Sequence, residues 1–154
     1  MPAPEPATTS KPASIAKLPI AAAIVALAGL ADAIYLTVHH YTAAPVPCGE
    51  AFDCEMVLNS SWAELLGIPL AAFGAASYFI AFSLALLTAF GDRRMWKLFG
   101  IVTTLMAAFS GFLIYVQAFH VHAFCQFCLL SAATTFTLFI LYLISIFLGP
   151  RTSA

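Results

Sequence analysis

Four long apolar stretches constrain this chain more than any other feature: Leu18 to Val38, Ile68 to Phe90, Leu98 to Phe119 and Phe124 to Leu148. A bilayer core about 30 Å thick is crossed by roughly 20 residues of helix at about 1.5 Å each, and every stretch reaches that length. Backbone polar groups in lipid need partners within the segment or in a closed barrel, and the alternation of a barrel strand is missing from all four. The expected fold class is therefore all-α, an integral membrane four-helix bundle. Composition agrees, with 62% of residues hydrophobic and only 8% charged, against about 25% charged in a soluble domain.

A net charge of -1 provides no basic stripe for nucleic acid. Residues 1–16 are Pro-rich and poor in large apolar side chains, and are expected to form a disordered tail. Residues 17–149 form one membrane domain, and 150–154 a second short tail. The first stretch has a competing reading as a signal peptide cleaved near Ala31 and Ala33. The apolar run continues through Ile34, Tyr35, Leu36 and Val38, longer than a signal core, and favours an uncleaved span.

All six basic residues, Lys11, Lys17, Arg93, Arg94, Lys97 and Arg151, fall on one side of these spans. The positive-inside rule makes that side cytoplasmic, both termini included. The other side receives the connection Tyr41 to Gly67, with Glu50, Asp53, Glu55 and Glu64 but no Lys or Arg, and a tight turn near His122. Within the connection Leu58, Trp62, Leu65 and Leu66 recur at helical spacing, which predicts a short amphipathic lid helix in the extracytoplasmic loop.

All four cysteines lie on this extracytoplasmic side. Cys125 and Cys128 stand where the fourth span begins, three residues apart, so a helix puts both sulfurs on one face. A helix N-terminus favours a thiolate, although two cysteines there also fit as small buried apolar residues. Cys48 and Cys54 sit in a loop shaped by Pro47 and Gly49, where a small disulfide fits either as a staple or as a labile exchange partner. Two pairs at one membrane face read together as a relay. The histidines His39, His40, His120 and His122 are close by, but the spacings are not those of closed zinc sites, and no metal is expected.

These residues carry a resemblance to bacterial members of the vitamin K epoxide reductase family. It rests on Tyr35-Leu36-Thr37, the Cys48 to Cys54 spacing, Val57-Leu58-Asn59-Ser60-Ser61-Trp62, Gly67-Ile68-Pro69-Leu70, Phe73-Gly74 and Cys125-X-X-Cys128. The resemblance implies four helices around a quinone, ubiquinone or menaquinone, with Cys128 nearest the ring and Cys125 its exchange partner. It also implies that Cys54 is attacked by an external thiol, that Cys48 then reduces the bridge at Cys125, and that Ser60 supports this chemistry. Ala132 and Leu70 stand where vertebrate relatives have a tyrosine and an asparagine that hold the vitamin, so epoxide reduction is doubtful.

Pocket candidates are Phe73, Ser77, Phe109, Phe112 and Tyr115. Asp32, about 9 Å below the outer end of the first span at Val38, is the proton-relay candidate, since intramembrane carboxylates are functional by default. The function so implied is reoxidation of a separate extracytoplasmic thioredoxin-fold thiol oxidase similar to DsbA, because the 154 residues leave no room for a fused one. Electrons would pass to quinone in a bacterial inner membrane. A membrane protein with merely structural disulfides, and a vitamin K epoxide reductase, are the alternatives.

Overall fold

The computed structural model describes residues 13–149, with side chains from Lys17 onward. Most of the expected N-terminal tail and all of 150–154 lie outside the described residues. Long helices α1 (Ala13–Thr42), α3 (Leu70–Ala89), α4 (Arg93–Val116) and α5 (Gln126–Leu148) are joined by segments of unequal length. The first of these joins contains a one-turn helix, α2 (Cys54–Leu58), and the strands β1 (Glu64–Leu65) and β2 (Ile68–Pro69). A π-helical turn, Gln117–Val121, continues α4.

Among the described residues, four helices are long and apolar enough to cross a membrane. In sequence order they close into a ring: α1 packs on α3, α3 on α4, α4 on α5, and α5 back on α1. The interior is built from small residues such as Ala22, Ala26, Ala81 and Ala85, while Ile24, Leu105 and Phe147 point outward. This distribution suits lipid, where no hydrophobic force draws helices together and close backbone approach supplies the packing. Gly29 in α1 leaves the space that the Tyr78 ring of α3 occupies, and Gly100 in α4 does the same for Tyr142 of α5. A Cβ at either glycine would collide with the ring.

The short helix is present in the loop but is displaced from the predicted segment. Asp53 caps the start of α2 by accepting from the Met56 amide at 3.0 Å, and Asn59 ends it. Where Leu58 to Leu66 was expected to be helical, a turn leads into an antiparallel hairpin pairing Glu64 with Pro69 and Leu65 with Ile68. Leu66 and Gly67 both adopt left-handed backbone, φ 56° and 79°, the signature of a two-residue hairpin turn. Pro69 lacks the N–H a helix would need, and Leu66 is 94% exposed rather than part of an apolar face.

Candidate active site

Cys125 occupies the cap position before α5, with extended backbone at φ -103° and ψ 122°. Its sulfur faces inward and the residue is fully buried, while Cys128, one turn later, is half-buried; neither is bridged. Cys48 and Cys54 form a disulfide with Cα atoms 6.2 Å apart. All four cysteines belong to a single packed cluster with Leu36, Val46, Val57 and Ala123. The Tyr35-Leu36-Thr37 segment serves this cluster: Leu36 is buried in it, and the Tyr35 ring lies 5.2 Å from that of Phe127.

Three hydrogen bonds dock the disulfide loop on the start of α5 and hold Cys125. The Asp53 amide donates to the Phe124 carbonyl at 3.0 Å. The Gly49 amide donates to Gln126 Oε1 at 3.2 Å. The Cys125 amide donates to Gln117 Oε1 at 3.1 Å. Backbone amides leave no freedom for a one-residue slip, so the loop pair and the helix-start pair are held in register.

Within the loop the two sulfurs are unequal: Cys54 is 2% exposed, whereas Cys48 is half-buried and retains access to solvent. In this arrangement Cys48 is therefore the more accessible of the two to an external thiol. The Cys128 thiol, as a hydrogen-bond partner, pulls the Cys125 pKa down to about 7, while burial and the charge of Asp32 oppose the shift. A depressed pKa makes Cys125 the better leaving group in exchange.

Beside the cysteine cluster, a cavity of about 490 Å³ runs among α1, α3, α4 and α5 under the hairpin loop. Cys128 lines it and Cys125 does not. Of the sequence-derived pocket residues, Phe73, Ser77 and Phe109 are in its wall, and Ser60, expected to support the cysteine chemistry, is there too. Phe112 and Tyr115 are not, which corrects that expectation. Phe112 packs its ring against Trp62 at 6.4 Å, and Tyr115 stacks on Phe119 at 4.8 Å, both on the outside of the bundle. A 3.6-residue period carries Phe109 inward and turns Phe112 and Tyr115 away.

The Ser60 hydroxyl donates to the Val57 carbonyl at 2.7 Å, and Ser77 donates to the Phe73 carbonyl at 2.9 Å. Each therefore offers the cavity only lone pairs. Leu70 and Ala132 also line it, and their positions are apolar.

Two wall residues escaped the sequence reading. Tyr78 reaches across the bundle from α3, donating to the Ser131 carbonyl at 2.6 Å and sharing a hydrogen bond with Thr135 Oγ1 at 2.8 Å. Gln117 is 5% exposed and joins the cavity wall to the Cys125 amide. The residue type gave a signal for both, a hydrogen-bonding side chain within an apolar stretch, but nothing in the sequence marks the direction in which either faces. Asp32 does not line the cavity. Because α1 runs on to Thr42, Asp32 sits ten residues, about 15 Å, below the helix end, deeper than expected. It lies within electrostatic range of Cys125, Cys128 and Tyr78, and its Oδ2 is buried without a partner among the described residues.

The cavity wall fits a neutral ring with an apolar tail. It is mostly hydrophobic, with few hydrogen-bonding groups and, His40 apart, no ionisable side chain other than Cys128 and Tyr78. The sequence profile of the vitamin K epoxide reductase family matches residues 20–143. The thiol-disulfide oxidoreductase LTO1 of Arabidopsis thaliana is 32% identical over 120 residues, an alignment covering 71% of this chain and 32% of that protein. The chain thus spans about a third of that relative's length.

Proposed function

Since the chain belongs to the vitamin K epoxide reductase family, we propose that it is a quinone-dependent thiol-disulfide oxidoreductase. It would reoxidise an extracytoplasmic thioredoxin-fold protein similar to DsbA and thereby support disulfide formation in exported proteins. The observation that carries this reading is the gathering of both cysteine pairs into one cluster, with only Cys128 opening on the cavity.

The exposures favour an order of exchange that swaps the two loop cysteines relative to the family resemblance. A partner thiolate attacks Cys48 Sγ, forms a mixed disulfide and releases Cys54 as a thiolate inside the cluster. The partner's second thiol resolves the mixed disulfide, leaving the partner oxidised and Cys48 and Cys54 reduced. Cys54 then attacks Cys125 in a Cys125–Cys128 disulfide and frees Cys128. Cys48 attacks Cys54, restoring the loop bridge with Cys125 as leaving group, a role its low pKa suits. The bridged loop pair and free helix-start pair of this structure match the state that results.

A bound quinone supplies the acceptor for two electrons and two protons. Cys128 would present the dithiol to it, Phe73 and Phe109 would supply apolar wall, and Ser60 and Ser77 would offer hydrogen-bond acceptors. Asp32 Oδ2, lacking a partner among the described residues, would accept a proton that the dithiol releases on oxidation; unaltered pH dependence of quinone reduction in Asp32→Asn would remove it from the scheme. Leu70 and Ala132 provide no hydrogen bond for an epoxide, and favour plain quinone reduction over epoxide chemistry. The distribution of Lys and Arg supports a bacterial inner-membrane placement with both termini cytoplasmic and the cysteines outside.

The test is anaerobic mixing of the purified chain with a reduced thioredoxin-fold partner and a short-chain quinone, following quinol. Wild type should form quinol, and each of the four cysteine variants should not. With a single-cysteine partner activated as its mixed disulfide with thionitrobenzoate, a stable partner disulfide at Cys48 of Cys54→Ala with release of thionitrobenzoate, and none at Cys54 of Cys48→Ala, supports this order; the reverse restores the order implied by the resemblance. Quinol formation by all four variants would reject a thiol relay.

A further inference from the structure

Three polar residues in the cavity wall are at least nine-tenths buried: Tyr78, Thr135 and Gln117. Tyr78 and Thr135 satisfy one another and Ser131. Gln117 differs. Its Oε1 is committed to the Cys125 amide at 3.1 Å, which fixes which end of the side-chain amide is oxygen and which nitrogen, because an N–H can meet only the acceptor.

The Nε2 group then faces the other way, and among the described residues nothing accepts from it. The one side-chain polar atom sealed in the described interior without a partner is Asp32 Oδ2. The Gln117 nitrogen is therefore not sealed, and the surface left to it is the cavity that the residue lines. The N–H thus opens on a mostly apolar cavity, where an acceptor brought in would gain a hydrogen bond that the wall does not supply.

The Gln117 backbone explains why the side chain stays there. Its carbonyl accepts from the His122 amide and from the Ala123 amide at 3.2 Å, closing the π-helical turn on itself. His122 takes up left-handed backbone at φ 55° to complete that closure. The residue is thus held by its main chain at one end and by the Cys125 amide at the other. Ser110 and Trp62 also carry protons into the wall, but neither is hydrogen-bonded to a cysteine.

Resting on the quinone reading above, we infer that Gln117 is the ring-positioning donor of this site: its Nε2 donates to the quinone carbonyl oxygen nearest Cys128, while its Oε1 holds the amide of Cys125. One side chain would then index the ring to the Cys125-X-X-Cys128 turn. It would take the place of the hydrogen-bonding residues that Leu70 and Ala132 do not provide.

The test uses the full chain in detergent with a short-chain ubiquinone, and two readouts independent of turnover: the carbonyl stretching band of the bound quinone by infrared difference spectroscopy, and its Kd. In wild type one carbonyl band should lie below that of the free quinone. Gln117→Met should return the band to its free position and raise Kd about tenfold, equivalent to about 1.4 kcal/mol. Gln117→Glu keeps an acceptor for the Cys125 amide and has a donor only while protonated. Its Kd should match wild type at acid pH and rise about tenfold as the carboxyl ionises.

A purely structural glutamine would produce no such titration. An unshifted band in wild type, or a Kd within about twofold of wild type in both variants at every pH, overturns the assignment and leaves the quinone reading standing. Absence of any ubiquinone binding to wild type overturns both.

Discussion

The two ends of the bundle use the same four helices for different ends. At the end carrying the basic residues, α3 and α4 are joined by a three-residue turn, Asp92 caps α4 through the Arg94 amide at 3.0 Å, and Trp96 stacks on Phe99 at 4.6 Å. Trp96 Nε1 donates to Ser145 Oγ at 2.6 Å, tying α4 to α5. Polar groups there are satisfied locally. At the cysteine end the connections are long and irregular, left-handed residues occur at Ala43, Leu66 and His122, and a cavity opens with hydrogen-bonding capacity left over. One end closes the bundle, and the other is held open around chemistry.

The largest effect should come from the open end. Cys128→Ala should lower quinone reduction by at least about a thousandfold with little change in melting behaviour, measured by quinol formation and thermal unfolding side by side. Equal loss of stability and of activity would erase the contrast between the ends.

Trp96→Ala probes the closed end. Loss of the stacking and of the Ser145 hydrogen bond should cost about 2 kcal/mol, seen as a lower unfolding midpoint in detergent, while turnover per folded molecule stays within about twofold. A large fall in turnover without loss of stability would mean that the closed end takes part in the reaction.

Third is a shift in titration. In the reduced protein the Cys125 thiolate, followed by its ultraviolet absorbance, should appear around pH 7, and Cys128→Ala should move it upward toward 9.0, since the Cys128 thiol is the first cause of the depression. The sign for stability follows: a folded pKa below the ordinary one stabilises the fold fully above about 9, and the contribution is gone once pH falls below about 7. Unchanged titration in the variant would assign the depression to the helix start instead. The smallest effect belongs to Gln126→Ala, which removes the acceptor for the Gly49 amide. It should slow electron transfer from the loop pair by about threefold, since one exposed hydrogen bond contributes about 0.5–1 kcal/mol; stopped-flow reduction of quinone would register it.

Much of this was legible in the chain itself. Four apolar stretches of spanning length have only one economical solution in lipid, and their ends move by only a few residues between the sequence reading and the structure because backbone satisfaction sets them. Cys125 and Cys128 were legible through their place at a helix start, and Phe73 and Ser60 through their order along the family pattern, whereas Ser77 and Phe109 were legible only as side chains able to line a pocket. The hairpin at Glu64 to Pro69 was not. Its apolar residues happen to repeat at helical spacing, and the left-handed pair Leu66 and Gly67 overrides that period.

What tertiary structure alone decided is which side of each helix looks inward. Phe112 and Tyr115 share α4 with Phe109, yet only Phe109 meets the cavity, because a helix in lipid can be apolar all round and its periodicity carries no mark of facing. The same reason hid Gln117 and the inequality of Cys48 and Cys54. Burial in a membrane protein is set by which neighbour a residue meets, whereas sequence determines only that both lipid and neighbour are compatible with it.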